Sequence, residues 1–553
     1  MSGLPPLGAG GRWRAIAALV AMGLGQAGAM ALAAFSTRDA FAALRAGEQA
    51  PWGALGALAA AGFALGGLRL AERVAGERLG QRYAGALRRR LFAHVARLPG
   101  RTVAGLRAGS LTLRFVGDLS AVRGWVSGGL SRLIASGVSL AAAAGAFWLL
   151  DPAMALAASG PLAAGLGAMA LAGWRLGPAH RRLRRRRARL AGDMGERLPL
   201  APELRLMGRM EIELARLGRR TEAVIAASVA RARLAALMRA IPDAASAIAA
   251  ALVLWVAFRD GAAGAQVAGA LALLGLMAAP MRALASVGDR YRAWVAAREK
   301  CAALLARPTL RRARPTLRAA PDGPPALSFA GYGPGGATLK VRAGQRVAII
   351  GANGAGKSAL LRVAAGLEAA PWGPVRVAGR DPTGLRAPER RRLIALVDGR
   401  APMLAGSLRR ALTMGVAAHP DDAAIVAEAG AFGLGGVLAR LGGLDGAVAE
   451  GGRNLSSGEA RRLTLARAAL SGAGLLLLDE PDDGLDAEGG PLIARLLGRD
   501  ATVLLVTHDP ALARRMETVW FVEDGRVREI GAPGALLDGD GPAARFFRPR
   551  PVA

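Results

Sequence analysis

Six stretches free of charged residues constrain this chain more than any other feature of its sequence. They hold 23 residues between Arg14 and Arg38, 20 between Glu48 and Arg69, and 18 between Arg132 and Asp151. A further 23 lie between Asp151 and Arg175, 15 between Asp243 and Arg259, and 21 between Asp260 and Arg282. A helix rises about 1.5 Å per residue, so roughly 20 residues cross a hydrocarbon core of about 30 Å. All six runs fall before residue 290; the one later run of similar length, 17 residues between Asp322 and Lys340, is broken by Gly and Pro. Many of their positions are Ala and Gly, which insert weakly beside Leu, Ile or Phe, so the long helices of a soluble bundle are the competing reading.

The charges between the runs decide against that bundle. Residues 72–130 hold 11 arginines and 3 acids, and residues 175–236 hold 16 arginines and 6 acids. The other connectors are short and nearly neutral: Arg38, Asp39, Arg45 and Glu48 in one, Asp151 alone in the next, Arg259 and Asp260 in the third. With six spans and Arg12 and Arg14 inside, every arginine-rich segment falls on one side, which is the positive-inside pattern. The first run has spanning length, too long for a signal-peptide core. The basic stretch 180–189 has the composition of a nucleic-acid patch, but its place just after a span makes anionic lipid headgroups the better partner. No nucleic acid is expected.

Composition agrees. A net charge of +32 beside 53% hydrophobic residues excludes a disordered basic tail, and 21% charged residues is few for a soluble enzyme. The single cysteine, Cys301, excludes a disulfide framework and a multi-cysteine metal site. Five prolines between 307 and 325 mark a linker. The expected division is a membrane domain over 1–306, a linker over 307–325 and a second domain over 326–553. The spans lie near 15–37, 49–70, 133–150, 152–174, 240–258 and 264–288.

Beyond the linker, short apolar runs at 345–350, 475–478 and 502–506 alternate with helical stretches and read as buried parallel strands. The first leads into Gly351-Ala352-Asn353-Gly354-Ala355-Gly356-Lys357-Ser358, a G-x-x-x-x-G-K-S phosphate loop between a strand and a helix. Its glycines let backbone N–H groups turn around phosphates, Lys357 reaches the β- and γ-phosphates, and the Ser358 hydroxyl ligates Mg²⁺. Further on, the apolar strand ends in Asp479 and Glu480. Two carboxylates at a strand's carboxyl end suit a metal–nucleotide site, with Asp479 on Mg²⁺ and Glu480 as general base for water. Asn454-Leu455-Ser456-Ser457-Gly458-Glu459 opens a helix; alone it reads as an N-cap, with Ser456 and free N–H groups able to meet an anion.

Taken together, these three motifs resemble the ATP-binding cassette (ABC) transporters, and six spans ahead of one cassette resemble their half-size exporters. The resemblance implies an α-helical six-span membrane domain and an α/β P-loop ATPase cassette with a helical subdomain. It implies ATP and Mg²⁺ as cofactors, and cassettes paired head-to-tail with ATP between 351–358 of one and 455–459 of the other. By similarity, Asp486 matches the dimer-contacting aspartate, His508 the switch histidine at the γ-phosphate, and Tyr332 the aromatic that stacks on adenine. Phe329 precedes Tyr332 by three residues instead of the family's two. The stretch 446–454, with Glu450 and Gly452, resembles the exporter-specific cassette loop. Residues 107–123 and 198–216 resemble the two cytoplasmic coupling regions, and Gly261, Gly264 and Pro280 the turn into the sixth span and that span.

Four positions depart from the family pattern. Gly399 stands where a glutamine senses the γ-phosphate, and no glutamine occurs anywhere after Gln345. Ala359 replaces a hydroxyl residue near the α-phosphate, Ser457 a signature glycine and Glu459 a signature glutamine. The expected protein is a multi-pass subunit of a bacterial cytoplasmic (inner) membrane exporter with its amino terminus and cassette in the cytoplasm. Its partner is a second half, identical or different, and its cargo a small molecule, lipid or peptide. The alternatives are a catalytically weak half of a heterodimer, such as a thiol exporter, and a membrane-anchored ATPase without transport.

Overall fold

Every charge-free run lies mostly within a long helix. A computed structural model describes residues 4–106, 111–112, 114–310, 326–399, 403–485 and 489–547. Six apolar helices occupy Arg12–Ala46, Trp52–Val95, Arg114–Leu150, Pro152–Leu206, Met210–Arg259 and Gly264–Leu305. The second and fifth run for 44 and 50 residues. At about 1.5 Å per residue each is roughly twice as long as a hydrocarbon core is thick. The arginine-rich segments are therefore largely helical extensions of the spans. Arginine is a good helix former, and the clusters contain few stop signals.

Local chemistry sets the sharp turns. Asp151 caps the helix at Pro152, accepting the Met154 N–H at 2.9 Å, with Pro152 in the first turn where a missing N–H does no harm. The fifth helix ends at Arg259, and Gly261 adopts φ +65° before the sixth begins at Gly264. Small residues bring the helices together. A Cβ at Gly23 would lie 2.8 Å from the Ala135 carbonyl oxygen, so the first and third helices touch at backbone distance there. Met30, Phe147, Met154, Val253 and Leu273 fill the core around such crossings.

The chain forms two units: Met1–Ala96 with Leu106–Arg307, and Arg97–Gly105 with Pro308–Ala553. The short segment is the surprise. Within the second unit its helix Gly100–Ala104 donates the Gly100 N–H to the Leu367 carbonyl at 2.9 Å and the Arg101 N–H to Glu368 Oε1 at 2.6 Å. This segment lies just ahead of 107–123, the stretch expected to couple, of which 107–110 and 113 lie outside the described residues. Asp118, in that expected stretch, belongs to the first unit and pairs with Arg184.

In the second unit, β1 (Leu327–Phe329), β2 (Leu339–Val341) and β4 (Val375–Val377) make an antiparallel sheet in the order β2-β1-β4. The main sheet is built from β3 (Arg346–Ile350), β5 (Ile394–Val397), β8 (Leu475–Asp479), β9 (Thr502–Val506), β10 (Thr518–Glu523) and β11 (Arg526–Gly531). Its order is β11-β10-β3-β9-β8-β5, parallel except for the β10–β11 hairpin. Two-residue strands β6 (Gly406–Ser407) and β7 (Ala447–Val448) pair beside the helices Leu408–Thr413, Asp422–Ala431, Gly435–Leu441 and Ser457–Leu470, the helical subdomain. β8 and β9 are buried at every residue, which is why they read as unbroken apolar runs. The linker stretch 311–325 and Asp486 lie outside the described residues.

Candidate functional site

β3, β8 and β9 are neighbours, so the segments leaving their carboxyl ends meet at one edge of the sheet. After β3 the chain turns through Gly351 at φ +146°, Gly354 at +82° and Gly356 at +100°, then enters the helix Lys357–Ala364. Only glycine fits at 351: a Cβ there would run into the Val522 carbonyl oxygen. Ala352, Asn353 and Gly354 are exposed, whereas Ala355, Gly356, Ser358 and Ala359 are half-buried.

Lys357 is 5% exposed and folds back into this loop. Its Nζ donates to the Gly351 and Ala352 carbonyls at 2.8 and 3.1 Å. It also lies 3.1 Å from His508 Nε2. Burial pulls its ammonium below the ordinary lysine value, against the attraction of Glu480 and Asp479. The carbonyls hold the ammonium in the loop; phosphate oxygens would be stronger partners for it.

At the end of β8, Asp479 Oδ1 accepts the Ser358 hydroxyl at 3.0 Å. Burial raises the Asp479 carboxyl, an effect the Ser358 bond only partly offsets. Two oxygens 3.0 Å apart match the spacing of adjacent ligands around an octahedral ion bound at about 2.0–2.1 Å, so Ser358 and Asp479 fit Mg²⁺. Among the described residues no cluster of three or more His, Cys, Asp or Glu could hold a metal. Such an ion would therefore depend on phosphate oxygens, as Mg²⁺ usually does.

Glu480 adopts φ +46°, a left-handed conformation that a non-glycine residue takes at a cost of about 1–3 kcal/mol. Its N–H is held by the Val506 carbonyl at 3.0 Å, and its Oε1 lies 3.1 Å from His508 Nε2. One ring nitrogen thus faces both an ammonium and a carboxylate. As N–H it donates to Glu480; as a lone pair it accepts from Lys357. His508 can be held in either of two ways, and a phosphate that draws Lys357 away favours the first.

The signature segment has other partners. Ser456 caps the helix Ser457–Leu470, accepting the Glu459 N–H at 3.1 Å, and Glu459 Oε2 accepts the Ser456 N–H at 2.8 Å. Arg440 grips both Glu459 oxygens at 2.9 and 2.8 Å. The Ser456 N–H, then Arg440, hold this carboxyl below the usual glutamate range. Glu459 is thus a structural clamp in which a glutamine would keep the cap and lose the ion pair. Ser456 and Ser457 are exposed, and Gly458 sits at the helix start. Asn454 pins the loop before them, bonding Ala449 N–H and the Ala447 carbonyl.

Tyr332 does not occupy the place expected of it. It is 1% exposed, packed edge-on against Phe329 at 5.8 Å between ring centres, and burial pushes its phenol up to about 12. The extra residue after Phe329 explains this: Gly331 takes φ +80° and turns Tyr332 into the core. The exposed aromatic beside the loop is Trp372, 44% exposed, which the sequence reading missed. A Cβ on Gly331 would lie 2.8 Å from the Trp372 carbonyl oxygen, so the two segments cross. The Arg526 guanidinium sits 4.1 Å from the Trp372 ring centre. Its neighbour Gly525 donates to the Ala355 carbonyl of the phosphate loop at 2.7 Å. A lone tryptophan in Pro371-Trp372-Gly373-Pro374 was the available signal.

Residues 335–483 match the ABC transporter domain, and residues 24–276 match the ABC transporter transmembrane region. Among curated proteins, the chain is similar to the glutathione/L-cysteine transport ATP-binding/permease protein CydC of Escherichia coli, 34% identical over 222 residues. That match covers 38% of this chain and 37% of CydC. The β-(1→2)glucan export protein NdvA of Mesorhizobium japonicum is 33% identical over 225 residues, covering 39% and 38%. The mycobactin import protein IrtB of Mycolicibacterium thermoresistibile is 35% identical over 223 residues, covering 39% and 38%. The aligned stretches thus span less than two fifths of these relatives. A solved bacterial Atm1-family ABC exporter with ATP bound shares the fold across 98% of both chains, with a TM-score of 0.78 at 22% identity. One polypeptide carrying both the membrane region and the cassette therefore belongs to the ABC transporters and has the half-size exporter fold.

Proposed function

We propose that this chain is one half of an ATP-driven exporter in the bacterial cytoplasmic membrane, with its amino terminus and cassette in the cytoplasm. The observation that carries the reading is the meeting of Lys357, Asp479, Glu480 and His508 at one sheet edge, in a chain with six apolar membrane helices. Backbone N–H groups of 351–358 and the Lys357 ammonium bind the triphosphate. Ser358 and Asp479 hold Mg²⁺, which neutralises charge on the phosphates. Trp372 stacks on adenine in place of Tyr332. Glu480 takes the proton of the attacking water, and His508 orients the γ-phosphate. The exposed Ser456 and Ser457, with Gly458 at the helix start, complete the site of a second half, with Asp486 at the contact between cassettes. Closure of the cassette pair switches the membrane helices from inward- to outward-open, and hydrolysis resets them.

The relatives' names cover a thiol, a glucan and a siderophore, and both export and import, so they assign this chain no cargo. A non-identical partner is the second reading. Gly399 lies just past β5, which pairs in register with β8, yet it offers no side chain to the nucleotide. The test is ATP binding by the full chain in lipid discs: Lys357→Ala should weaken it at least tenfold without lowering Tm. Equal affinity in both proteins would overturn the assignment.

A further inference from the structure

The membrane unit has an open cavity of about 960 Å³ whose charged lining is five arginines against two glutamates. Arg69, Arg132 and Arg282 are each the charged residue that ends a charge-free run, so they ring the cavity at one level, where the spans leave the apolar zone. Gln26 and Ser136, inside two of the runs, line it as well. Arg132, Arg282 and Arg290 also line an adjoining cavity of about 520 Å³, which adds Arg231, Arg239 and Asp289.

Arginines outnumber acids around both cavities. Arg282 pairs with Asp243 at 2.5 Å and Arg231 with Asp289 at 3.5 Å. Among the described residues Arg69, Arg73, Arg132, Arg239 and Arg290 have no ion pair within 4 Å. The two glutamates of the lining form no ion pair with its arginines: Glu72 accepts from Gln26 at 2.9 Å and Glu77 from Arg123 at 3.0 Å. The backbone makes room for one of the cations. The third helix takes a π turn at Val126–Leu130, and a Cβ at Gly128 would collide with the Arg290 guanidinium. Cations at the end of a span face a water-filled cavity or a counter-charge, and an anionic ligand would supply the second.

We propose that this cavity binds a soluble organic anion carrying two or more carboxylate, phosphate or sulfonate groups, and that such anions are the cargo class. The volume lies at the upper end of the roughly 300–1,000 Å³ of small-molecule sites, and guanidinium forks match each of these groups. The proposal rests on the exporter reading for the word cargo, but not for binding.

The test uses the purified full chain in lipid discs without nucleotide. Its probes are carboxyfluorescein, a multivalent anion, and rhodamine 123, a cation on the same ring frame, read by fluorescence anisotropy. The anion should bind at least tenfold tighter than the cation, and more weakly as salt rises. Arg73→Gln should weaken anion binding at least fivefold, and Arg73→Glu with Arg132→Glu should reverse the preference, with ATP binding at the cassette unchanged as the folding control. Equal binding of both dyes, or anion binding indifferent to the charge reversal, overturns the proposal. So does loss of carboxyfluorescein when phosphatidylglycerol replaces phosphatidylcholine in the discs, which assigns the site to lipid headgroups. In sealed vesicles, anion binding without ATP-driven uptake of the dye would leave the binding site standing and overturn the cargo assignment.

Discussion

Replacing Trp372 with alanine should weaken ATP binding, whereas replacing Tyr332 should weaken only the fold. Stacking of a base on an aromatic ring contributes about 1–3 kcal/mol. Trp372 is 44% exposed and shares its ring with Arg526, so the lower half of that range applies. A loss of about 1–2 kcal/mol is roughly a 5- to 30-fold rise in Kd. Tyr332 is 1% exposed, and Tyr332→Leu keeps much of its volume; it should cost about 1–3 kcal/mol of stability. The assay is calorimetric titration of the full chain with ATP and with ribose triphosphate, which lacks the base, alongside thermal unfolding. Trp372→Ala should bring ATP down towards ribose triphosphate and leave ribose triphosphate unchanged. Tyr332→Leu should lower Tm and leave the ratio between the two ligands as in the native protein. A Trp372→Ala protein within twofold of the native Kd, beside a Tyr332→Leu protein tenfold weaker at native Tm, would refute the exchange of roles.

The same edge of the sheet yields two further expected outcomes. Burial raises the Asp479 carboxyl above its ordinary value of 3.8, so the folded state holds its proton more tightly than the unfolded chain. That contribution to stability is complete below the unfolded value and is lost as pH rises through the raised one. At neutral pH without nucleotide, Asp479→Asn should therefore raise Tm or leave it unchanged, while Mg²⁺-dependent ATP binding falls about 10- to 100-fold; a drop in Tm at unchanged Mg²⁺ dependence would contradict this. Gly399 has no atom within 4 Å of where a Cβ would stand, so Gly399→Gln should fold within about 0.5 kcal/mol of the native protein. It should also raise the ATPase of the lone chain several-fold, and an unchanged rate would show that the missing side chain limits nothing.

The sequence was most legible where physics imposes a run or a fixed spacing. Charge-free length located the spans, and a lysine at the single required place located the phosphate loop. Charge density marks where a span leaves the apolar zone but does not mark where its helix ends, because arginine continues a helix. Arg97–Gly105 was missed because nothing in its composition says which unit it joins; that depends on backbone bonds to Leu367 and Glu368, some 270 residues away. Tyr332 was misplaced by one residue of backbone. Gly331 at φ +80° turns the ring inward, and motif spacing carries no record of such a rotation. Trp372 lies in a loop outside every motif, visible only once the crossing with Gly331 is known. The arginine cavity gathers residues from four helices, each of which alone reads as the solvated end of a span.

In the proposed mechanism, Glu480 drives ATP hydrolysis at a site that binds nucleotide without it. The direct measurement is ATP binding and turnover by the full chain in lipid discs, native against Glu480→Gln. That substitution keeps the side chain's shape and its strained backbone while removing the base. Binding should stay within about twofold of native, and turnover should fall roughly 100-fold or more. Turnover undiminished in Glu480→Gln would contradict the account.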